Sequence, residues 1–206
     1  MKVTNEMVKQ LRAATQAGVL DCKKALEACG GDMERATEKL REKGLISAAK
    51  KADRVASNGL IEAYVHMGKA AALVELNCET DFVARLPEFK ELAHDLAMQV
   101  VAAKPQYVKP EDIPAELLES KRRIYRAEAL DQKKPEAMVE KIIEGKLSKF
   151  FADVCILNQP FIKDQEKVVQ DVIKERIAKT GENIVLRRFA RLELDEQDSC
   201  SSCLVG

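Results

Sequence analysis

Residues 80–89 read TDFVARLPEF, and the hydrophobic pattern changes its period across them. Upstream, in LIEAYVHMGKAAALVELN at 60–77, Ile61, Ala63 and Val65 alternate with Glu62, Tyr64 and His66. After Met67-Gly68-Lys69, the residues Ala70, Ala72, Val74 and Leu76 alternate again. Two period-two runs around a glycine turn predict a β-hairpin. Downstream, Phe89, Leu92, Ala93, Leu96, Ala97, Val100 and Val101 recur at helical spacing, and Pro87 suits a first helical turn. A helix with that stripe is expected to cover one face of the hairpin. The stretch thus closes a strand pair and opens a long helix, which sets an α+β class.

Toward the N-terminus, residues 4–43 read as three short helices. Thr4 is placed to cap the first, whose stripe is Met7, Val8 and Leu11. The second runs from Val19 to Cys29, with Leu20, Cys22, Ala25, Leu26 and Cys29 apolar, and Gly30-Gly31 stops it. Asp32 caps the third, Met33, Ala36 and Leu40 face inward, and Gly44 is expected to end it. LISAAKKADRVAS at 45–57 reads as a linking helix exposing Lys50, Lys51 and Arg54, closed by Asn58-Gly59. Three helices of this length bury only a small core, the pattern of a docking module.

Toward the C-terminus, KPQYVKPEDIP at 104–114 is a proline-punctuated connection. Charged helical segments at about 114–131 and 135–151, each opened by a proline, predict an antiparallel helical hairpin. A helix with Val168, Val169, Val172, Ile173 and Ile177 inward ends at Gly181. Ile184 to Leu194 alternates as a strand carrying Arg187, Arg188 and Arg191, expected to add a third strand to a small antiparallel sheet. The expected division is 1–54 as a three-helix docking module with its linker helix, 55–195 as the α+β core with 114–151 inserted in it, and 196–206 as a flexible tail.

Lys plus Arg equals Asp plus Glu at 34 each, so no net field draws a polyanion and no direct nucleic-acid binding is expected. Lys121-Arg122-Arg123 is offset by Glu116, Glu119 and Glu128 and reads as a solvated face. No apolar run has the length of a membrane span, and the first residues, MKVTNEMVKQL, lack a signal-peptide core, so the expected setting is cytoplasmic with no membrane partner. Cys22, Cys29, Cys78 and Cys155 sit in apolar or helical surroundings and read as buried thiols of a reducing compartment. Cys200-x-x-Cys203 lies in the polar tail DEQDSCSSCLVG.

No phosphate-binding glycine loop, HExxH helix or GxSxG elbow occurs. The two histidines, His66 and His94, have no partner near in sequence and read as solvated. No metal, cofactor or enzymatic reaction is expected. Asp81 and Phe82 then stand out. Either Thr80 or Asp81 caps a helical turn with Phe82 packed inward, or an acid beside a bare aromatic is shaped to wedge into a partner.

Several stretches, in order, resemble translation elongation factor Ts, the exchange factor for elongation factor Tu. LRAATQAGVLDCKKALEACGGDMERATEKLREKG at 11–44 is similar to the family's ubiquitin-associated-like module. NCETDFVAR at 77–85 resembles its central signature, and KPEAMVEKIIEGKLSKF at 134–150 its helical hairpin. NQPF at 158–161 and GENIVLRRFARLEL at 181–194 are similar to its C-terminal core. Two departures stand out. Gln16 follows Thr15 where the family often has Gly, and Leu86-Pro87 follows the signature where it commonly has Asn.

The resemblance implies a guanine nucleotide exchange factor in translation elongation. Leu11, Arg12, Thr15, Ala17, Gly18 and Val19 would dock on the partner's nucleotide-binding domain, and Thr80, Asp81, Phe82 and Val83 would disturb its magnesium site so that GDP leaves. Longer family members carry a second copy of the hairpin-plus-helix core. This chain has one, which implies a homodimer. The competing expectations are a pure binding adaptor, a redox or metal protein using Cys200 and Cys203, and an RNA-binding protein using Lys121, Arg122 and Arg123.

Overall fold

A computed structural model describes residues 3–15, 17–131 and 135–194. The tail at 196–206, with Cys200 and Cys203, lies outside them. The fold is α+β, with a three-helix N-terminal module, a small antiparallel sheet with packed helices, and a helical hairpin.

The chain begins with α1 (Asn5–Thr15), α2 (Val19–Ala28) and α3 (Met33–Ala49). Thr4 Oγ1 accepts from Met7 N at 3.3 Å, and Asp32 Oδ1 accepts from Arg35 N at 3.1 Å, so both expected caps form. Val8, Leu11, Cys22, Ala25, Leu26, Ala36 and Leu40 close into one buried cluster. Gly44 does not end α3, which runs on to Ala49. The separate linking helix expected at 45–57 is absent. Its first residues extend α3, a turn follows, and Asn58-Gly59 opens a strand. The glycine has a packing reason, since a Cβ at Gly44 would lie 2.9 Å from the Cβ of Ala178.

The sheet has the order β1 (Asn58–His66), β2 (Ala70–Cys78), β5 (Ile184–Glu193). Met67 and Gly68 turn the first hairpin, both at positive φ, and Lys69 N donates to His66 O at 2.9 Å. Positive φ at both central positions is the turn that matches strand twist. Short α4 (Asp81–Arg85) follows β2, and α5 (Pro87–Ala103) follows with its whole expected stripe buried. Then come α6 (Ala115–Asp131) and α7 (Glu136–Val154), a helical hairpin closed over Ala129, Val139, Ile143 and Leu147. A two-stranded antiparallel ribbon, β3 (Pro160–Phe161) with β4 (Asp164–Val168), precedes α8 (Val169–Thr180). That ribbon was not anticipated, and Val168 lies in it rather than in the helix.

Two compact units form. One draws on the described residues within Met1–Leu60, Leu76–Lys90 and Asp171–Val185, the other on those within Ile61–Glu75, Glu91–Gln170 and Leu186–Gly206. In the second, Gln99 and Gln159 are buried yet satisfied. Gln99 Nε2 donates to Pro160 O at 3.1 Å and its Oε1 accepts from Ile162 N at 2.9 Å, which pins the ribbon to α5. His94 of α5 is not simply solvated, because its Nδ1 lies 3.0 Å from Glu62 Oε1. Its ring also meets Tyr64 edge-on at 5.5 Å. Glu62 and Tyr64 therefore take the α5-facing side of β1, and Ile61 and Val65 point to solvent.

Candidate functional site

In the first unit, β2 ends at Cys78 and the chain must leave the ladder with its polar groups satisfied. It does so through a pair of carboxylates. Glu182 accepts from Thr80 N at 2.9 Å and from Thr80 Oγ1 at 2.6 Å. Glu79 accepts from Asn183 N at 2.7 Å and pairs with Arg54 at 3.5 Å. Each acid thus holds the backbone of the opposite segment, continuing by side chains the pairing that β2 and β5 make by main chain.

Asn183 is only 2% exposed, and its Nδ2 donates to the carbonyls of Ala52 at 3.1 Å and Arg54 at 2.8 Å. The turn after α3 is thereby tied to the same knot. Cys78 is buried below it and its Sγ donates to Thr80 O at 3.1 Å. Burial, and then the charge of Glu182, push that thiol above its ordinary pKa of 9.0, so it stays a neutral donor.

From this base rises α4. Thr80 is its N-cap residue, but its side chain makes no cap bond to the helix, being turned to Glu182 instead. Val83 and Ala84 are buried. Asp81 is exposed and bound to Arg85 at 2.8 Å. Phe82 does not pack inward, since it is 77% exposed. Pro87 opens α5 after the break at Leu86.

Of the residues expected to act together, Thr80, Asp81, Phe82 and Val83 are contiguous here, with Asp81 and Phe82 presented and Val83 serving as the anchor. The other group lies at the turn from α1 to α2. Leu11 is wholly buried in the module's cluster, Thr15 Oγ1 donates to Leu11 O at 2.7 Å and accepts from Ala17 N at 3.3 Å, and Arg12, Gly18 and Val19 are exposed. Leu20 of α2 is also exposed, although it belongs to the helix's apolar set. Lys121 lies over the Phe150 ring at 5.1 Å. Among the described residues, no group of three or more His, Cys, Asp and Glu is placed to hold a metal ion, and no helix is long and apolar enough to cross a membrane.

Sequence reasoning missed Glu79, Glu182 and Asn183. The stretch GENIVLRRFARLEL is similar to the family's C-terminal core, but nothing local links it to residues about a hundred positions earlier.

Comparison with known proteins bears on this geometry. The family described as Elongation factor TS matches residues 1–176. Elongation factor Ts of Carboxydothermus hydrogenoformans is 57% identical over 195 residues, covering 94% of this chain and 90% of that protein. Elongation factor Ts of Thermotoga petrophila is 56% identical over 197 residues, covering 95% and 98%. That of Thermodesulfovibrio yellowstonii is 52% identical over 196 residues, again covering 95% and 98%.

Proposed function

The chain belongs to the elongation factor Ts family of translation elongation factors, and on that premise we propose that it is the guanine nucleotide exchange factor of elongation factor Tu. The observation that carries this reading is Phe82, a large apolar side chain held out in water on an anchored base. Leaving such a ring exposed forgoes burial, and a partner that covers it recovers about 1.5–3 kcal/mol. That is about ten- to a hundredfold in an equilibrium constant.

The exchange needs no covalent chemistry. Residues 1–54 dock on the GDP-bound partner through the accessible Arg12, Gly18 and Val19, with Leu11, Thr15 and Ala17 shaping the turn that presents them. Phe82 enters between partner side chains beside the magnesium site, with Asp81 next to it and Thr80 and Val83 holding the segment. Losing magnesium contacts loosens GDP, because the ion bridges nucleotide phosphates in such GTPases. Linkage requires GDP to weaken factor binding by the factor by which the chain weakens GDP. GTP then binds the emptied site. The setting is the cytoplasm.

The protein acts as a homodimer in this reading. In the second unit, Ile61, Val65, Leu73 and Leu192 are all at least half exposed, at 66%, 63%, 51% and 75%. A sheet side this apolar is what a second copy covers. Sedimentation at micromolar concentration reads it, a dimer supporting the proposal and a strict monomer removing it.

The exchange reading is tested with a fluorescent GDP analogue bound to elongation factor Tu. Catalytic amounts of the chain are expected to speed analogue release many-fold. Binding without acceleration would leave an adaptor.

A further inference from the structure

We propose that Glu182 is a positioning residue for exchange, its carboxylate clamping Thr80 so that Asp81 and Phe82 project in one direction. The inference rests on the exchange reading above and deepens it.

The argument starts from how short α4 is. A helix of five residues has barely one turn of its own hydrogen bonds and does not hold its own orientation. Val83 and Ala84 seat one side of it, and its direction on that seat is set by whatever grips its ends. At the C-terminal end the chain breaks at Leu86, whose N donates to Val83 O at 3.1 Å and whose O accepts from Phe89 N at 3.0 Å and Lys90 N at 3.2 Å, so that end is tied to the first turn of α5. At the N-terminal end the usual device would be the Thr80 hydroxyl turned inward to accept a helix N–H. The hydroxyl is turned outward instead, to Glu182.

One carboxylate therefore takes both donors of one residue, Thr80 N at 2.9 Å and Thr80 Oγ1 at 2.6 Å. Two bonds to one planar group fix the backbone and side-chain direction of Thr80 together, and bonds to an ionised acceptor are the stronger kind. Only a group that accepts at both oxygens serves both donors unchanged.

Glu182 is itself immobilised. It follows Gly181, which sits at φ +80 after α8, and its N donates to Thr180 Oγ1 at 3.4 Å. It precedes Asn183, whose amide and side chain are both fixed as described. The clamp is thus rigid on the Glu182 side and ends one residue before Asp81.

A clamp with only a stabilising role would have no bearing on how far Phe82 reaches into a partner. The test separates the two. Release of a fluorescent GDP analogue from elongation factor Tu is followed at rising concentrations of the full chain. Glu182→Ala is expected to lower the maximal release rate about tenfold while the half-saturating concentration stays within about twofold. In a Phe82→Ala background the same change is expected to add less than about twofold, since there is no ring left to aim. An equal loss in both backgrounds, or none in either, overturns the proposal. Should Glu182→Ala fail to fold, Glu182→Gln carries the test, with an intermediate loss expected because the amide puts an NH2 in place of one of the two oxygens that Thr80 N and Thr80 Oγ1 separately meet.

A second readout does not depend on exchange. In protein carrying 4-fluorophenylalanine, the Phe82 fluorine signal is assigned with Phe82→Leu. Glu182→Ala is expected to shift or broaden that signal, and an unchanged signal overturns the clamp. If the unmodified chain does not speed GDP release, the exchange reading fails alone, and the fluorine signal still decides the clamp.

Discussion

Phe82 and Phe89 lie seven residues apart in TDFVARLPEF, and the fold treats them oppositely. Phe89 is 0% exposed at the head of the α5 stripe, while Phe82 is 77% exposed on α4. The first is placed by apolar packing, as a core aromatic should be. The second is placed by polar bonds beneath it, from Thr80 to Glu182 and from Asn183 to Glu79. The difference teaches that two kinds of force place the two rings. Packing explains Phe89, whereas among the described residues nothing covers Phe82, and the proposed contact with elongation factor Tu would use that exposure.

The largest expected break of this comparison is Phe89→Ala. Removing a fully buried ring leaves a cavity, and a loss of about 3–5 kcal/mol in unfolding free energy is expected. Urea denaturation measures it, and a loss below about 1 kcal/mol would mean that the stripe is not the core. Next is Gly44→Ala, where the added methyl meets the Cβ of Ala178 at 2.9 Å. Clash and helix propensity oppose each other there. The expected net loss is about 1–2 kcal/mol, and a gain in stability would show that α3 and α8 part at low cost. Smaller still is Phe82→Ala on stability, expected within about 0.5 kcal/mol by the same urea titration, as for other exposed sites. A large loss would move Phe82 into the same class as Phe89.

The smallest effect concerns the partly exposed carboxylate Glu193, whose pKa is lowered from 4.5 to about 2 by its hydrogen bond to Lys104. A depressed acid contributes stability above its unfolded value and loses it as pH falls through its folded one. The contact, 2.6 Å long, is therefore kept at neutral pH and lost between pH 4.5 and about 2. Carboxyl NMR titration reads the midpoint, which Lys104→Met is expected to raise. An ordinary midpoint in the unaltered chain would show the pair open in solution.

Much of this fold was legible because local signals agree. The switch from period two to period 3.6, Pro87, Gly30-Gly31 and the Asp32 cap placed most elements. What the sequence misplaced or left open has physical causes. Gly44 looked like a helix end, but a glycine also serves where another helix comes close. Alternation in β1 shows two faces without saying which is covered. The answer depends on His94, 32 residues away from its partner Glu62. The ribbon at 160–168 is too short for a period to register.

The candidate site was half legible. Asp81 and Phe82 could be singled out, yet the pattern alone favoured inward packing of Phe82, which is exposed. Only the fold separates the two, because the carboxylate clamp joins residues more than a hundred positions apart. In the N-terminal group, helix spacing puts Leu11 in the apolar stripe, where it is buried, and its assignment to docking comes only with the family resemblance.

The most direct test of the account compares maximal rates of GDP-analogue release from elongation factor Tu with the unaltered chain and with Phe82→Ala, both at saturation. The account predicts that the variant saturates at a similar concentration and releases GDP at least about tenfold more slowly. Release at an equal maximal rate would contradict it, leaving Phe82 exposed without a role in exchange.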